Sequence, residues 1–121
     1  MSKKRILISD NSKDFVQLLV VFFSKQPNIE IVGVAYDGKQ TLKMVEQTQP
    51  DVLLLDLIMP EMDGLEVVKK IYESDYKPKV YIISAVGNET INDIAIGYGV
   101  NQYFIKPINL IEIRNSILKE Q

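Results

Sequence analysis

A chain of 121 residues makes one domain with room for a sizeable core, and excludes a multidomain enzyme within this chain. Its 14 basic and 16 acidic side chains sum to −2, which leaves no basic footprint for gripping a nucleic-acid backbone. The 46% hydrophobic and 25% charged content is that of an ordinary globular domain, and the lack of cysteine and histidine excludes thiol chemistry, Cys/His zinc sites and imidazole acid–base work.

In chain order, Lys3-Lys4-Arg5 leads into only Ile6-Leu7-Ile8 before Ser9-Asp10. That run is too short for a signal peptide, and no stretch approaches the roughly 18 apolar residues of a membrane span. A cytoplasmic domain with no membrane contact is expected, and the absence of cysteine fits a reducing interior. Further short apolar runs follow at Ile29–Val34, Val52–Leu55, Val80–Ile83 and Tyr103–Ile105. Most are continuous, the pattern of strands covered on both faces in a parallel sheet. Ile29–Val34 alternates through Glu30, which places it at an edge.

Helical spacing fills the intervals. Phe15, Leu18, Leu19 and Phe22 form one stripe and Ile91, Ile94, Ala95 and Tyr98 another, with Leu65, Val68 and Tyr72 as a weaker third. Val16, Val20 and Phe23 make a second apolar stripe on the first helix. It is either covered by the last helix or is a docking surface for another protein or a dimer partner. Asp37-x-x-Gln40 and Asn109-x-x-Glu112 are spaced as helix starts, and Pro27, Pro50 and Pro78 stand just before strands. The reading is β-α five times over: an α/β doubly wound, flavodoxin-like (βα)5 sandwich with a parallel sheet in the order 2-1-3-4-5.

Right-handed crossovers bring all strand carboxyl ends to one edge, and ligands bind where the strand order reverses. There the first strand ends at Ser9-Asp10 and the third at Asp56, so two carboxylates face each other. They repel unless a cation intervenes, and hard oxygen donors with room for water suit Mg²⁺. Ser84-Ala85 ends the fourth strand and Lys106-Pro107 follows the fifth, adding a hydroxyl and an ammonium. That set suits a phosphoryl group, with Asp56 the better nucleophile and Asp10 the better metal ligand.

Asp10-Asn11, Asp56-Leu57-Ile58-Met59-Pro60 with Asp63-Gly64, Ser84-Ala85 and Lys106-Pro107 resemble the receiver domain of two-component response regulators over essentially the whole chain. The resemblance implies a signalling domain that promotes its own phosphotransfer and is not a turnover enzyme. By it, Asp56 is the phosphoacceptor, and Asp10, Asp56 and the Ile58 carbonyl bind Mg²⁺. Ser84, the Ala85 amide and Lys106 hold the phosphoryl group, Ser84 and Tyr103 are the switch, and the Lys106–Pro107 bond is cis. The implied partners are a histidine kinase or histidine phosphotransfer protein as donor, and a second copy of the chain on phosphorylation. Apolar Ile58 and Val86, two residues beyond Asp56 and Ser84, imply slow hydrolysis.

Val32–Gly38, Pro50-Asp51-Val52 and Glu73-Ser74-Asp75 further resemble the receiver half of the sporulation master transcription factor of endospore-forming bacteria. On that likeness, residues 1–121 are the N-terminal part of a longer regulator with a DNA-binding domain and a transcriptional output.

One residue departs from the family pattern: Ser9 stands where the first of two acids is usual. Losing that charge should weaken Mg²⁺ binding by about 1 to 2 kcal/mol. The rival reading is a pseudo-receiver, an unphosphorylated protein-interaction module of the same fold. A haloacid dehalogenase-type phosphatase is excluded by Ile58 and Pro60, where it needs an acid and a hydroxyl. A dinucleotide site is excluded by the lack of a glycine fingerprint after the first strand.

Overall fold

Strands and helices alternate along the chain as β1 (Lys4–Ser9), α1 (Lys13–Ser24), β2 (Ile29–Ala35), α2 (Gly38–Thr48), β3 (Val52–Leu55), α3 (Gly64–Tyr72), β4 (Lys79–Ser84), α4 (Glu89–Gly97), β5 (Gln102–Ile105) and α5 (Leu110–Lys119). The structure is a computed structural model and describes residues 3–60, 62–85, 87 and 89–120. The five strands pair in parallel in the order β2-β1-β3-β4-β5, as the apolar runs predict. β2, the alternating run, is an edge.

Four of the helices start where the sequence supplies a side-chain acceptor. Ser12 caps α1, Asp37 α2, Asp63 α3 and Asn109 α5, satisfying amides that have no intrahelical partner. At α2 the bonding is reciprocal: Asp37 Oδ1 accepts from the Gln40 amide at 2.8 Å, and Gln40 Oε1 accepts from the Tyr36 amide at 2.8 Å.

Alternation along the strands divides the core between the two faces. Ile6, Ile8, Val52, Leu54, Tyr81 and Ile83 point to α1 and α5, where they meet Val16, Leu19, Phe23, Ile113 and Ile117. Leu7, Leu53, Leu55, Val80 and Ile82 point the other way, to Val45 of α2, Val67, Val68 and Ile71 of α3 and Ala95 of α4.

The helix faces differ from the stripes read in the sequence. In α1 the buried set is Val16, Leu19 and Phe23, so the core face takes Val16 and Phe23 from the second stripe and Leu19 from the first, and α5 packs against it. Leu18 is 51% exposed, and Phe15, Val20 and Phe22 are half-buried at the margin. In α3 the core takes Val67, Val68 and Ile71 while Tyr72 is exposed. In α4 Ala95 is buried, Ile91 packs at the edge of the core, and Ile94 and Tyr98 are exposed. Where apolar residues cover more than half a helix's circumference, periodicity does not choose between neighbouring faces; the approach of the partner helix does.

Register aligns the functional edge. Ser9 lies opposite Ala35 and Leu55, Leu55 opposite Ile82, and Ser84 opposite Ile105. Backbone bonds continue just past the strands, from Asp10 N to Ala35 O (3.1 Å), Asp56 N to Ser9 O (2.9 Å) and Lys106 N to Ser84 O (2.8 Å). The residues that follow the strands are therefore held as firmly as the strands.

Candidate functional site

Asp10, Asp56, Ser84 and Lys106 come from four strand ends and meet at one rim. Asp10 is 2% exposed; its Oδ1 accepts from the Ser12 amide at 2.8 Å and its Oδ2 lies 3.0 Å from Lys106 Nζ. Ser12, and not Asp10, caps α1, which leaves the Asp10 carboxylate for the rim. The same ammonium lies 3.8 Å from Asp56 Oδ2, so it bridges the two carboxylates. The Lys106–Pro107 bond is cis, as the resemblance implies.

Asp56 is 9% exposed, just beyond the end of β3, the strand that lies between β1 and β4. Burial, and after it the charge of Asp10, pushes its carboxyl above the ordinary carboxylate range; the Ile58 amide, Lys106 and the Ser84 hydroxyl act in the opposite direction. The Ile58 amide donates to Asp56 Oδ1 at 3.3 Å, which curls the loop beyond β3 around the carboxylate. The Ile58 side chain is 60% exposed and flanks the entrance. Gly64 allows the loop to close: a Cβ there would stand 2.5 Å from Leu57 Cα and 2.6 Å from the Asp56 carbonyl oxygen, distances that no side-chain motion relieves.

Ser84 is fully buried at the end of β4 and Ala85 follows at the exposed rim. Tyr103 is half-buried against the α3–α4 side of the core. Burial and the charge of Asp56 raise its phenol above the ordinary range, so the ring lies within the field of Asp56. A hollow of about 340 Å³ lined by Gly87, Glu89, Asn92, Tyr103 and Ile105 adjoins it. Val86 lies outside the described residues.

Ser9 turns away from the rim. By alternation it faces the same side as Leu7, and at 1% exposure its hydroxyl meets Thr41 Oγ1 and, at 3.3 Å, the Met59 thioether. Thr41 is also buried and donates to the Asp37 carbonyl at 2.7 Å. The Ser9 hydroxyl donates to the Met59 thioether, and its contact with Thr41 completes a chain of neutral groups. The pocket that would receive an acid at position 9 is occupied by a closed neutral network.

Two features escaped sequence reasoning. The Ser9–Thr41–Met59 contact joins residues distant in the chain and leaves no local pattern. The ring of Phe15 lies under Lys106, 4.0 Å from Nζ to its centroid; its helical spacing marks it only as apolar.

The donor set fits a small hard cation. Two carboxylates would supply hard oxygen ligands, and a divalent charge would relieve the repulsion that raises Asp56. Among the described residues no group of three or more acidic, His or Cys side chains could hold a metal ion; the carboxylates that Lys106 joins at the rim are those of Asp10 and Asp56.

Residues 6–118 match the family of the response regulator receiver domain. Among solved structures, the signal receiver domain of the putative response regulator NarL from Mycobacterium tuberculosis is 30% identical, with a TM-score of 0.92 over 98% of this chain and 95% of that one. The response regulator domain of Thermotoga maritima CheB is 26% identical, with a TM-score of 0.90 over 97% and 95%. A CheX–CheY–BeF3–Mg complex from Borrelia burgdorferi is 27% identical, with a TM-score of 0.87 over 94% and 86%.

Proposed function

The chain belongs to the response regulator receiver family, and on that premise we propose that it accepts a phosphoryl group on Asp56 in a Mg²⁺-dependent reaction and switches conformation to control an output. The observation that carries this is the setting of Asp56, buried beside Asp10, hydrogen-bonded by Ser84 and faced by Lys106. A carboxylate raised by burial and a like charge is more basic, and so the better nucleophile toward phosphorus when ionised.

In the proposed step an Asp56 oxygen attacks phosphorus, the bond to the donor breaks and its electron pair leaves with the donor. The donor is a phosphohistidine of a kinase or phosphotransfer protein, or a small acyl phosphate. Lys106 then pairs with one phosphoryl oxygen while the Ser84 hydroxyl and the Ala85 amide take others. Mg²⁺, when held by Asp10, Asp56 and the Ile58 carbonyl, supplies positive charge to the phosphoryl oxygens. The Borrelia complex, which carries a beryllofluoride group and magnesium by its description, supports that chemistry here.

Ser84 moving toward the phosphoryl group would leave space for Tyr103 to turn inward, and the hollow beside Tyr103 supports this. Exposed, apolar Ile58 and apolar Val86 support slow hydrolysis; a phosphoryl lifetime of seconds would contradict it. No helix among the described residues is long and apolar enough to cross a membrane. Transcriptional output, sporulation control and phosphorylation-driven dimerisation rest on sequence resemblance alone.

Ser9's burial in a neutral network favours the second reading, an unphosphorylated interaction module. Beryllofluoride with Mg²⁺ separates the two. The phosphoacceptor reading expects Mg²⁺-dependent amide NMR shifts around Ser84, Ala85 and Lys106 that are absent in Asp56→Asn. An unchanged spectrum favours the pseudo-receiver.

A further inference from the structure

We propose that Phe15 is a positioning residue for Lys106, its ring face seating the ammonium where it can serve both Asp10 and the phosphoryl group of Asp56. The inference rests on the phosphoacceptor reading of this rim. A lysine carries its charge on a flexible four-carbon stem with several rotamers, so the position of Nζ needs a cause. Three contacts define it: Asp10 Oδ2 at 3.0 Å, Asp56 Oδ2 at 3.8 Å, and the Phe15 centroid at 4.0 Å.

The ring differs in kind from the carboxylates. Its π face attracts the cation but adds no net negative charge, so it holds the ammonium without repelling an incoming phosphoryl anion. Here that matters more than usual, because Ser9 contributes no charge to the rim. The ring is itself fixed: Phe15 stands in the first turn of α1, its amide bound by the Ser12 hydroxyl at 3.3 Å, and it packs against the α1–α5 core. Bulk alone would be met by leucine; holding an ammonium calls for an aromatic face.

The test compares Phe15→Leu and Phe15→Tyr, with Phe15→Met in reserve should the leucine variant fold poorly. In the wild type the Lys106 εCH2 resonances should be shifted by the ring current; the tyrosine variant should keep that shift and the leucine variant lose it. The rate of Mg²⁺-dependent labelling by acetyl phosphate should fall about threefold to tenfold in Phe15→Leu and stay within about twofold of wild type in Phe15→Tyr. A wild-type Lys106 signal without a ring-current shift overturns the proposal, as does equal loss of rate in both variants, which would make Phe15 a packing residue. If the wild type takes up no phosphoryl group, the phosphoacceptor reading fails and the lysine signal alone decides whether the seat exists.

Discussion

At the residue scale, the proposed metal site should be weakened by the serine at position 9. Ser9 lies inside a buried neutral network with Thr41 and Met59, so on the proposed reading Asp10 and Asp56 hold the cation without the further acid of the usual family pattern. Ser9→Asp should tighten Mg²⁺ by about tenfold, following the expected 1 to 2 kcal/mol. It should also lower the melting temperature, because the new carboxylate faces Thr41 and Met59. Calorimetric titration and a melt of the same variant read both, and unchanged affinity would show that position 9 does not reach the metal. In the wild type, Mg²⁺ that perturbs nothing at millimolar levels would contradict binding by Asp10 and Asp56. Asp56 carries the second residue-scale prediction. Its folded-state pKa is raised above the ordinary 3.8, so the folded state holds this proton more tightly than the unfolded one. The stability that protonation confers is present at low pH and lost as pH rises from the unfolded value through the raised one. Asp56→Asn should therefore melt above wild type at neutral pH, the difference shrinking below about pH 4. An equal difference at both ends would mean that Asp56 is not strained as an anion.

At the element scale, α1 was the least legible in sequence. Its apolar residues wrap so far round the helix that Phe15-Leu18-Leu19-Phe22 and Val16-Val20-Phe23 fit the core equally well as patterns. The arrival of Ile113 and Ile117 from α5 settles it for Val16, Leu19 and Phe23. Phe23→Ala should cost about 3 to 5 kcal/mol of stability and Leu18→Ala no more than about 0.5 kcal/mol. Urea unfolding measures both, and the reverse ranking would restore the first stripe as the core face. The strands were legible because parallel strands covered on both faces leave continuous apolar runs, and β2 betrayed its edge position through Glu30. Helix starts were legible at α2 and α5, where Asp37 and Asn109 supply the acceptors. At α3, Gly64 abuts the backbone of Asp56 and Leu57. Gly64→Ala should cost about 1 to 3 kcal/mol and slow phosphoryl uptake, since the displaced loop carries Asp56; a variant of unchanged rate and stability would show that the loop yields freely.

At the scale of the whole molecule, the doubly wound topology converts scattered residues into one site. Asp10, Asp56, Ser84 and Lys106 were each legible because a residue at a strand's carboxyl end has a place fixed by topology, and sheet register then sets Ser9, Leu55 and Ser84 at one edge. Thr41, Met59 and the Phe15 ring were not, because their parts depend on how helices and the β3–α3 loop settle on that edge. On the proposed reading this edge takes a phosphoryl group on Asp56. Incubation with acetyl phosphate and Mg²⁺ followed by intact-mass measurement tests it directly. One added phosphoryl group in the wild type, absent without Mg²⁺ and absent in Asp56→Asn, is the predicted result. No adduct in the wild type, or an adduct that persists in Asp56→Asn, would contradict it.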